Sequence, residues 1–358
     1  MPPPVLRLYT DPAARSGADP SRRVPWQKGA EASRDETDRR TKQQVWQDQW
    51  LDAPTPAEAD WWCLPDRWAG YLEQGTLARA QAFADEAARH DACVLVWCGG
   101  DDEYLVPFEN AIVVQAGTYR GLARPARFAF ELPVFLKDPV DELDHAWHAV
   151  PWQDAPTVGF CGLAQATPRA RLGHRVRQVR KHMSRGVRAS PHGFATDLRR
   201  EVLEQLERAE GVTTDFLVRD RYKAGEGAPD YTQSTARQEF LANMEANLYT
   251  VCVRGGGNFS KRLYETLALG RIPILVDTHS ALPCEEFLDW SPYVVRVPHD
   301  ELHRAGEIVQ AFHATLDADT VAERQSACRT FWQDHLSDAG YYATFPRYVD
   351  VVRRPPHG

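Results

Sequence analysis

No stretch of this chain approaches the ~20 consecutive apolar residues of a membrane-crossing helix, and the first residues, MPPPVLRLYTDPAARSG, lack a secretory signal's apolar core. Cysteine is scarce and shows no pairing pattern. There are seven, an odd number, with no Cys-x-x-Cys and no histidine spacing suited to zinc. This argues against a disulfide-stapled scaffold or a structural zinc module, and predicts free thiols in a reducing, cytoplasmic setting. Cys93, Cys161 and Cys252 fall inside apolar stretches, as buried thiols do. Positive charge is also in deficit, with 42 basic against 50 acidic residues and a net charge of −8. That balance argues against a general binder of nucleic acid or of anionic membranes. Internal repeats and low-complexity tracts are missing as well.

What is present is an ordinary globular composition, 43% hydrophobic and 26% charged over 358 residues, which suggests two domains at about 150 residues each. Apolar runs with strand character lie at Val5–Tyr9, Asp60–Leu64, Ala92–Cys98 and Ala111–Gln115, with an alanine-rich amphipathic helix at Leu77–His90. Residues 11–44 read as a loop-rich excursion holding one helix. Pro151–Pro156 marks a hinge. A second series follows: strand 157–161, a basic helix, helix 197–209, strand 213–218, helix 234–245 and strand 293–297. Strands alternating with helices predict parallel sheets covered on both faces. Eleven tryptophans are many; most read as core, a minority as faces of a sugar cleft.

Residues 248–277, LYTVCVRGGGNFSKRLYETLALGRIPILVD, are the most informative segment. They read as strand, glycine turn, short helix and strand, a βαβ unit. Arg254 leads into Gly255, Gly256 and Gly257, which let backbone N–H groups approach phosphate oxygens. Ser260 stands where a helix cap belongs, and Lys261 and Arg262 occupy the first turn, so an anion gains from both the helix dipole and the side chains. Glu265 shares a helix face with Arg262 and is placed to accept hydrogen bonds from ribose hydroxyls. Gly270 ends the helix and Ile272–Val276 form a buried strand. Together these predict a site for a nucleotide diphosphate. A rival reading comes from the same residues. Gly255 to Ser260 nearly matches the dinucleotide fingerprint, and Asp277 follows at a spacing of ~20 residues, as a nicotinamide cofactor requires. Against it stand Ser260 in place of the third glycine, the crowding arginines and the late position in the chain. The bland alternative, a tight turn with a capped helix, explains neither Arg262 nor Glu265.

The segment resembles the donor-binding half of exostosin-like glycosyltransferases, whose signature runs Ser-x-Arg-x-x-Glu and then Gly-x-(I/V)-Pro-(V/I). Here those positions are Ser260, Arg262, Glu265, Gly270, Ile272, Pro273 and Ile274. LPCEEFLDW (282–290), YVVRVPHDEL (293–302) and VGFCGLAQATPRARL (158–172) follow the same course, while ADWWCLPDRWAGYL (59–72) and CGGDDEYLV (98–106) match more loosely. The resemblance implies an α/β protein of GT-B type: two Rossmann-like domains facing across a cleft, an acceptor domain over 1–151 and a donor domain over 152–318. Helices over 319–358 would cross back to the first domain. It implies an inverting transfer of sugar from a nucleotide diphosphate, a UDP-sugar ahead of a GDP-sugar, to a glycan, a lipid-linked or a small-molecule acceptor. Polysaccharide biosynthesis is the matching role. Animal members of the family are membrane-anchored; this chain reads as a soluble, bacterial-style form.

From Ala155 to Thr196 there is no Asp or Glu, but eight basic residues occur. Arg169 and Arg171 follow the strand at the sheet edge where ligands bind, so one of them is a candidate for the donor phosphates. The others read as a solvated helix face, the alternative being a dock for a phosphorylated or lipid-linked acceptor with peripheral membrane contact. Donor-site candidates are therefore Arg254, Gly255, Gly256, Asn258, Ser260, Arg262, Glu265, Arg169 and Arg171; the family often has an acidic residue near Asn258. The acceptor hydroxyl needs a general base from the first domain. Asp101 and Asp102 after strand 92–98 are the leading candidates, with Asp66 and Glu109 in reserve. Asp101 and Glu103 also read as a metal-binding pair, but the arginine-rich phosphate site makes a metal redundant, so no metal and no cofactor is predicted. His145 and His148 read as surface residues. Two other classes remain open: an NAD-dependent oxidoreductase, and a non-catalytic glycan-binding protein of the same fold.

Overall fold

The structure, a computed structural model, describes residues 5–19, 24, 50–164, 168–183, 186–219 and 234–353, without the side chains of 168–170, 182 and 353. Most of the 11–44 excursion lies outside the described residues. In the first half come β1 (Leu6–Tyr9), β2 (Trp50–Asp52), β3 (Trp61–Cys63), α1 (Trp68–Gln74), α2 (Leu77–Arg89), β4 (Val94–Trp97), β5 (Ala111–Gln115) and β6 (Phe128–Glu131). The second half holds β7 (Thr157–Leu163), α3 (Pro168–Met183), α4 (Ala195–Arg208), β8 (Thr213–Arg219), α5 (Thr235–Ala246), β9 (Tyr249–Cys252), α6 (Lys261–Ala268), β10 (Ile272–Asp277), β11 (Val295–Pro298) and α7 (Ala305–His313). Two helices close the chain, α8 (Val321–Phe331) and α9 (Asp338–Arg353).

The strands form two sheets, ordered β2-β1-β3-β4-β5-β6 and β11-β10-β9-β7-β8, and every neighbouring pair is parallel. This is an α/β architecture of two Rossmann-like sheets. β4, β5 and β10 are buried along their whole length because helices cover both faces, so they read as continuous apolar runs. On α2, Ala80, Phe83, Ala84 and Ala87 are buried at helical spacing, as its amphipathic pattern predicts. In each sheet the strand order reverses beside the first strand of its half: between β1 and β3, and between β7 and β9. At such a switch point the loops diverge and leave a crevice for a ligand. β2 and β6 are missed by periodicity because each is a short edge strand of three or four residues.

The C-terminal helices part company. α8 lays Val321, Cys328 and Phe331 on the core of the second sheet, whereas α9 lays Tyr341, Tyr342, Phe345 and Val349 on the first. Trp50 donates its indole N–H to the Tyr342 carbonyl at 3.2 Å and stacks on Phe345 at 6.0 Å. The expectation that all of 319–358 returns to the first domain is corrected: α8 stays behind, and the chain crosses after Trp332–Leu336. The hinge expected at Pro151–Pro156 is preceded by chain already docked on the second half. Trp147 donates to the Leu269 carbonyl at 2.8 Å, and the buried Arg271 guanidinium donates to the His148 carbonyl at 3.1 Å. Antiparallel bridges Tyr104–Val187 and Tyr119–Ser280 join the halves, with an Arg120–Asp277 ion pair of 2.6 Å and an Arg188–Glu103 pair of 2.6 Å beside them.

Candidate functional site

A cleft of ≈ 550 Å³ opens where the carboxyl ends of the two sheets face each other. Its main wall is the switch point of the second sheet. Cys161, Gly162 and Leu163 come from the end of β7; Val253, Gly255 and Gly256 follow β9; Ser260, Lys261, Arg262 and Glu265 open α6. The opposite wall carries Asp101 after β4, Ala116 after β5, and Pro133 and Val134 after β6. Cations outnumber carboxylates in the lining: Arg199 from α4, Arg219 from the end of β8 and Arg237 from α5 join Lys261 and Arg262, against Asp101 and Glu265. Arg219 is also paired to Glu239 at 2.6 Å and Arg237 to Glu142 at 2.7 Å behind the wall. In a chain of net charge −8 this concentration marks an anion site.

The glycine turn acts through the absence of side chains rather than through unusual backbone angles, since none of its three glycines has positive φ. Gly255 and Gly256 have open space where a Cβ would point, while a Cβ on Gly257 would meet the Asp101 carbonyl oxygen at 2.0 Å. The first two keep the cleft open; the third lets the two halves touch. The Gly255 N–H donates to the Phe259 carbonyl at 3.0 Å, so that group closes the turn rather than facing a ligand. Ser260 occupies the N-cap position of α6, but its side chain makes no capping hydrogen bond and instead lines the cleft, a correction to the expected cap.

Arg262 enters the site with its guanidinium held by the protein. It donates to the Cys161 carbonyl at 2.7 Å and the Val251 carbonyl at 3.3 Å, and lies 4.4 Å from the Phe160 ring centroid. Gly162 is required beside it, because a Cβ there would meet the Arg262 terminal nitrogen at 2.8 Å. Glu265 is 4% exposed and accepts from Arg237 at 2.8 Å, with Lys261 at 3.4 Å; Arg237 also holds Glu142 through two bonds of 2.7 and 2.9 Å. Burial alone would lower the Arg237 guanidinium, but the bonds to Glu142 and the Glu265 charge hold it raised. Burial also raises the Cys161 thiol, which stays protonated at the cleft wall.

Several expected site residues lie elsewhere. Arg254 is 1% exposed and its guanidinium is tied to the carbonyls of His192 and Gly193, outside the cleft lining; burial depresses its pKa. Asn258 is buried outside the cleft lining, accepting from the Thr278 hydroxyl at 2.6 Å and donating to the Thr118 carbonyl of the first half at 3.4 Å, so it ties the two halves together. Arg171 is engaged by Asp197 in a two-pronged pair of 2.6 and 2.9 Å, and Arg169 lies in the first turn of α3, its side chain outside those described. Of the carboxylates considered for the base, Asp101 alone lines the cleft. Asp102 pairs with Lys181, and Asp66 accepts the Ser16 N–H and hydroxyl at 2.7 Å each, roles that close loops. Glu109 is exposed away from the cleft.

Arg199, Arg219 and Arg237 were not anticipated. Arg219 had a usable signal, a cation at the carboxyl end of a predicted strand; Arg237 had none, because its partner Glu142 is 95 residues away. Glu103 cannot join Asp101 as a metal pair, being 2% exposed and held by Arg188 at 2.6 Å and Arg124 at 3.7 Å. Among the described residues one trio of metal-ligating groups lies within 4.8 Å, His145, His148 and Glu245, and none of them lines the cleft. The two histidines are exposed as expected, but α5 brings Glu245 to them. No described tryptophan lines the cleft.

The site can be set beside known proteins. Residues 152–312 match the family described as the Exostosin GT47 domain. No curated protein matches the chain. Similar solved structures include a TarM variant from S. aureus in complex with fondaparinux, alpha-GlcNAc-glycerol and UDP (10% identity, 82% of this chain and 55% of that one, TM-score 0.34). The GtfA/B complex is similar at 13% identity, over 82% of this chain and 57% of that one, with a TM-score of 0.37. The pneumococcal O-GlcNAc transferase GtfA with UDP and GlcNAc is similar at 12% identity, over 81% and 56%, with a TM-score of 0.29. The chain spans little more than half the length of these structures, and at such scores the likeness carries no argument. The family match rests on other ground: it covers β7 into α7, the stretch that supplies the cationic wall. Through residues 152–312 the chain is similar to the exostosin GT47 domain.

Proposed function

We propose that this protein is a glycosyltransferase that moves a sugar from a nucleotide diphosphate to an acceptor hydroxyl, with inversion and without a metal. The observation that carries the reading is the cleft at the β7/β9 switch point, where five cations surround a pocket of a size for a nucleotide-sugar. Lys261 and Arg219 would meet the diphosphate, with Arg199 beside them. Arg262 shapes the wall, its charge shared between two carbonyls and the Phe160 ring. Glu265, oriented by Arg237, would accept from ribose hydroxyls. Asp101, facing them from the first half, would take the proton of the acceptor hydroxyl as its oxygen attacks the anomeric carbon and the diphosphate departs. The lining lysine and arginines offset the developing charge, as preorganised groups do in place of a metal. A UDP-sugar is the preferred donor and a glycan the preferred acceptor class.

The oxidoreductase reading loses its ribose ligand. Asp277 is engaged by Arg120 at 2.6 Å and Arg296 at 3.3 Å at the junction of the halves and does not line the cleft. A titration panel of UDP, GDP and NADH separates the two. We expect a diphosphate nucleotide to bind, Lys261→Gln with Arg219→Gln to weaken it at least tenfold, and excess EDTA to leave transfer unchanged. Asp101→Asn should keep nucleotide affinity and lose transfer. Binding of NADH without either diphosphate would falsify the assignment, and loss of activity in EDTA would remove the metal-free mechanism.

A further inference from the structure

The helix α3 exposes its apolar side chains. Three of its polar residues face the protein: Gln178 accepts from the Ser190 N–H at 2.8 Å, Lys181 pairs with Asp102, and the His174 ring lies 4.8 Å from the Phe194 ring. Its apolar residues face water. Leu172, Val176, Val179 and Met183 are 63%, 46%, 59% and 78% exposed. At 100° per residue these four positions fall within about 60° of arc, a continuous stripe three turns long. A helix of a globular protein ordinarily puts such a stripe on the core. Arg175 and Arg180 border the stripe on its two flanks and are both exposed. The surrounding sequence, residues 155–196, holds eight basic residues and no acidic one.

We propose that α3 docks the protein on an anionic lipid bilayer, lying in the plane of the interface. Leu172, Val176, Val179 and Met183 enter the boundary between headgroups and acyl chains, and Arg175 and Arg180 meet lipid phosphates. An apolar face flanked by basic residues is the pattern of interfacial helices, and an anionic surface complements this charge. A second copy of the same helix would set arginines against arginines. The net charge of −8 does not oppose the docking, because charges farther than a Debye length of about 8 Å are largely screened at physiological salt. α3 follows β7, whose end lines the cleft, so docking would bring the cleft mouth to the membrane surface. The proposal does not depend on the donor assignment.

The test is co-sedimentation of the full chain with phosphatidylcholine vesicles, with and without phosphatidylglycerol. The expected result is binding to the anionic vesicles alone, weakened by salt. Leu172→Gln with Val179→Gln, and separately Arg175→Gln with Arg180→Gln, should each weaken binding roughly tenfold or more without changing the thermal midpoint. Equal binding to both vesicles, none to either, or variants that bind like the parent would overturn the proposal. So would a concentration-dependent dimer that the Leu172→Gln/Val179→Gln variant abolishes, which assigns the stripe to a second copy. A lowered thermal midpoint in that variant would make the stripe a packing surface and overturn it too.

Discussion

Three successive glycines carry two different constraints. Gly257 is excluded from bearing a side chain by the Asp101 carbonyl 2.0 Å from its ideal Cβ and by the Phe259 ring at 2.7 Å, whereas Gly255 and Gly256 face open cleft. Gly257→Ala should push the halves apart and destabilise the protein by about 1–3 kcal/mol, the usual range for overpacking. Gly256→Ala should leave the thermal midpoint within error while weakening donor binding. Calorimetric melting of both variants checks the contrast, and equal midpoints would mean the contact yields. His192 behaves differently from a surface histidine. Burial first, then the neighbouring His299 and Arg254, holds its imidazole down at about 4, and its Nε2 has no hydrogen-bond partner. An unfolded imidazole titrates near 6.5, so between those values the unfolded chain binds more protons. This residue's contribution is therefore full above about pH 6.5 and is lost as pH falls toward 4. His192→Asn should shrink the drop in thermal midpoint between about pH 7.5 and about pH 5. An unchanged drop would place the acid sensitivity elsewhere.

At the scale of elements, α5 and α6 meet through Arg237, which bridges Glu142 and Glu265 with side chains 7%, 17% and 5% exposed. Glu265 therefore carries a structural load beside the ribose-binding role the sequence suggests. Glu265→Ala should lose nucleotide binding and some stability together, since Arg237 retains the two-pronged bond to Glu142. Arg237→Ala should be worse, about 3–5 kcal/mol, because two carboxylates are left in a poorly solvated place without their cation. Urea unfolding of both variants orders them, and the reverse order would mean that Glu265 supports the fold through contacts other than Arg237. Arg271 makes a similar tie for the linker. It is buried, its pKa is lowered to about 10 by desolvation, and it donates to the carbonyls of His148, Glu245 and Leu269.

For the whole molecule, the C-terminal helix decides whether the first sheet has a covered face. Phe345 is fully buried and packs against Trp50, Trp97 and Phe130. Phe345→Ala should cost about 3–5 kcal/mol, the range for a truncated core aromatic. The same truncation at exposed Leu172 should be nearly silent in a stability measurement. Chemical denaturation tests the pair, and a small loss at Phe345 would mean that α9 is dispensable to the sheet.

Periodicity was enough to locate β1, α2, β4, β5 and the unit from β9 to β10, because apolar spacing and turn residues are local signals that water reads the same way in any protein. The reading of that unit as a glycine turn opening a helix pointed to Gly255, Gly256, Ser260, Arg262 and Glu265, and all five line the cleft. It failed for Arg254 and Asn258, which sit in the same few residues but turn toward Gly193 and Thr278. No local pattern distinguishes an arginine aimed at a ligand from one aimed at a backbone carbonyl. The choice belongs to chain brought alongside from elsewhere: Gly193 beneath Arg254, Asp101 against Gly257, Glu142 on Arg237. Side-chain type and spacing specify which groups stand at a strand's end. Whether their charge faces a ligand or the protein itself depends on partners as far as 157 residues away, as at Arg120 and Asp277, and such partners meet only when the two sheets close on each other.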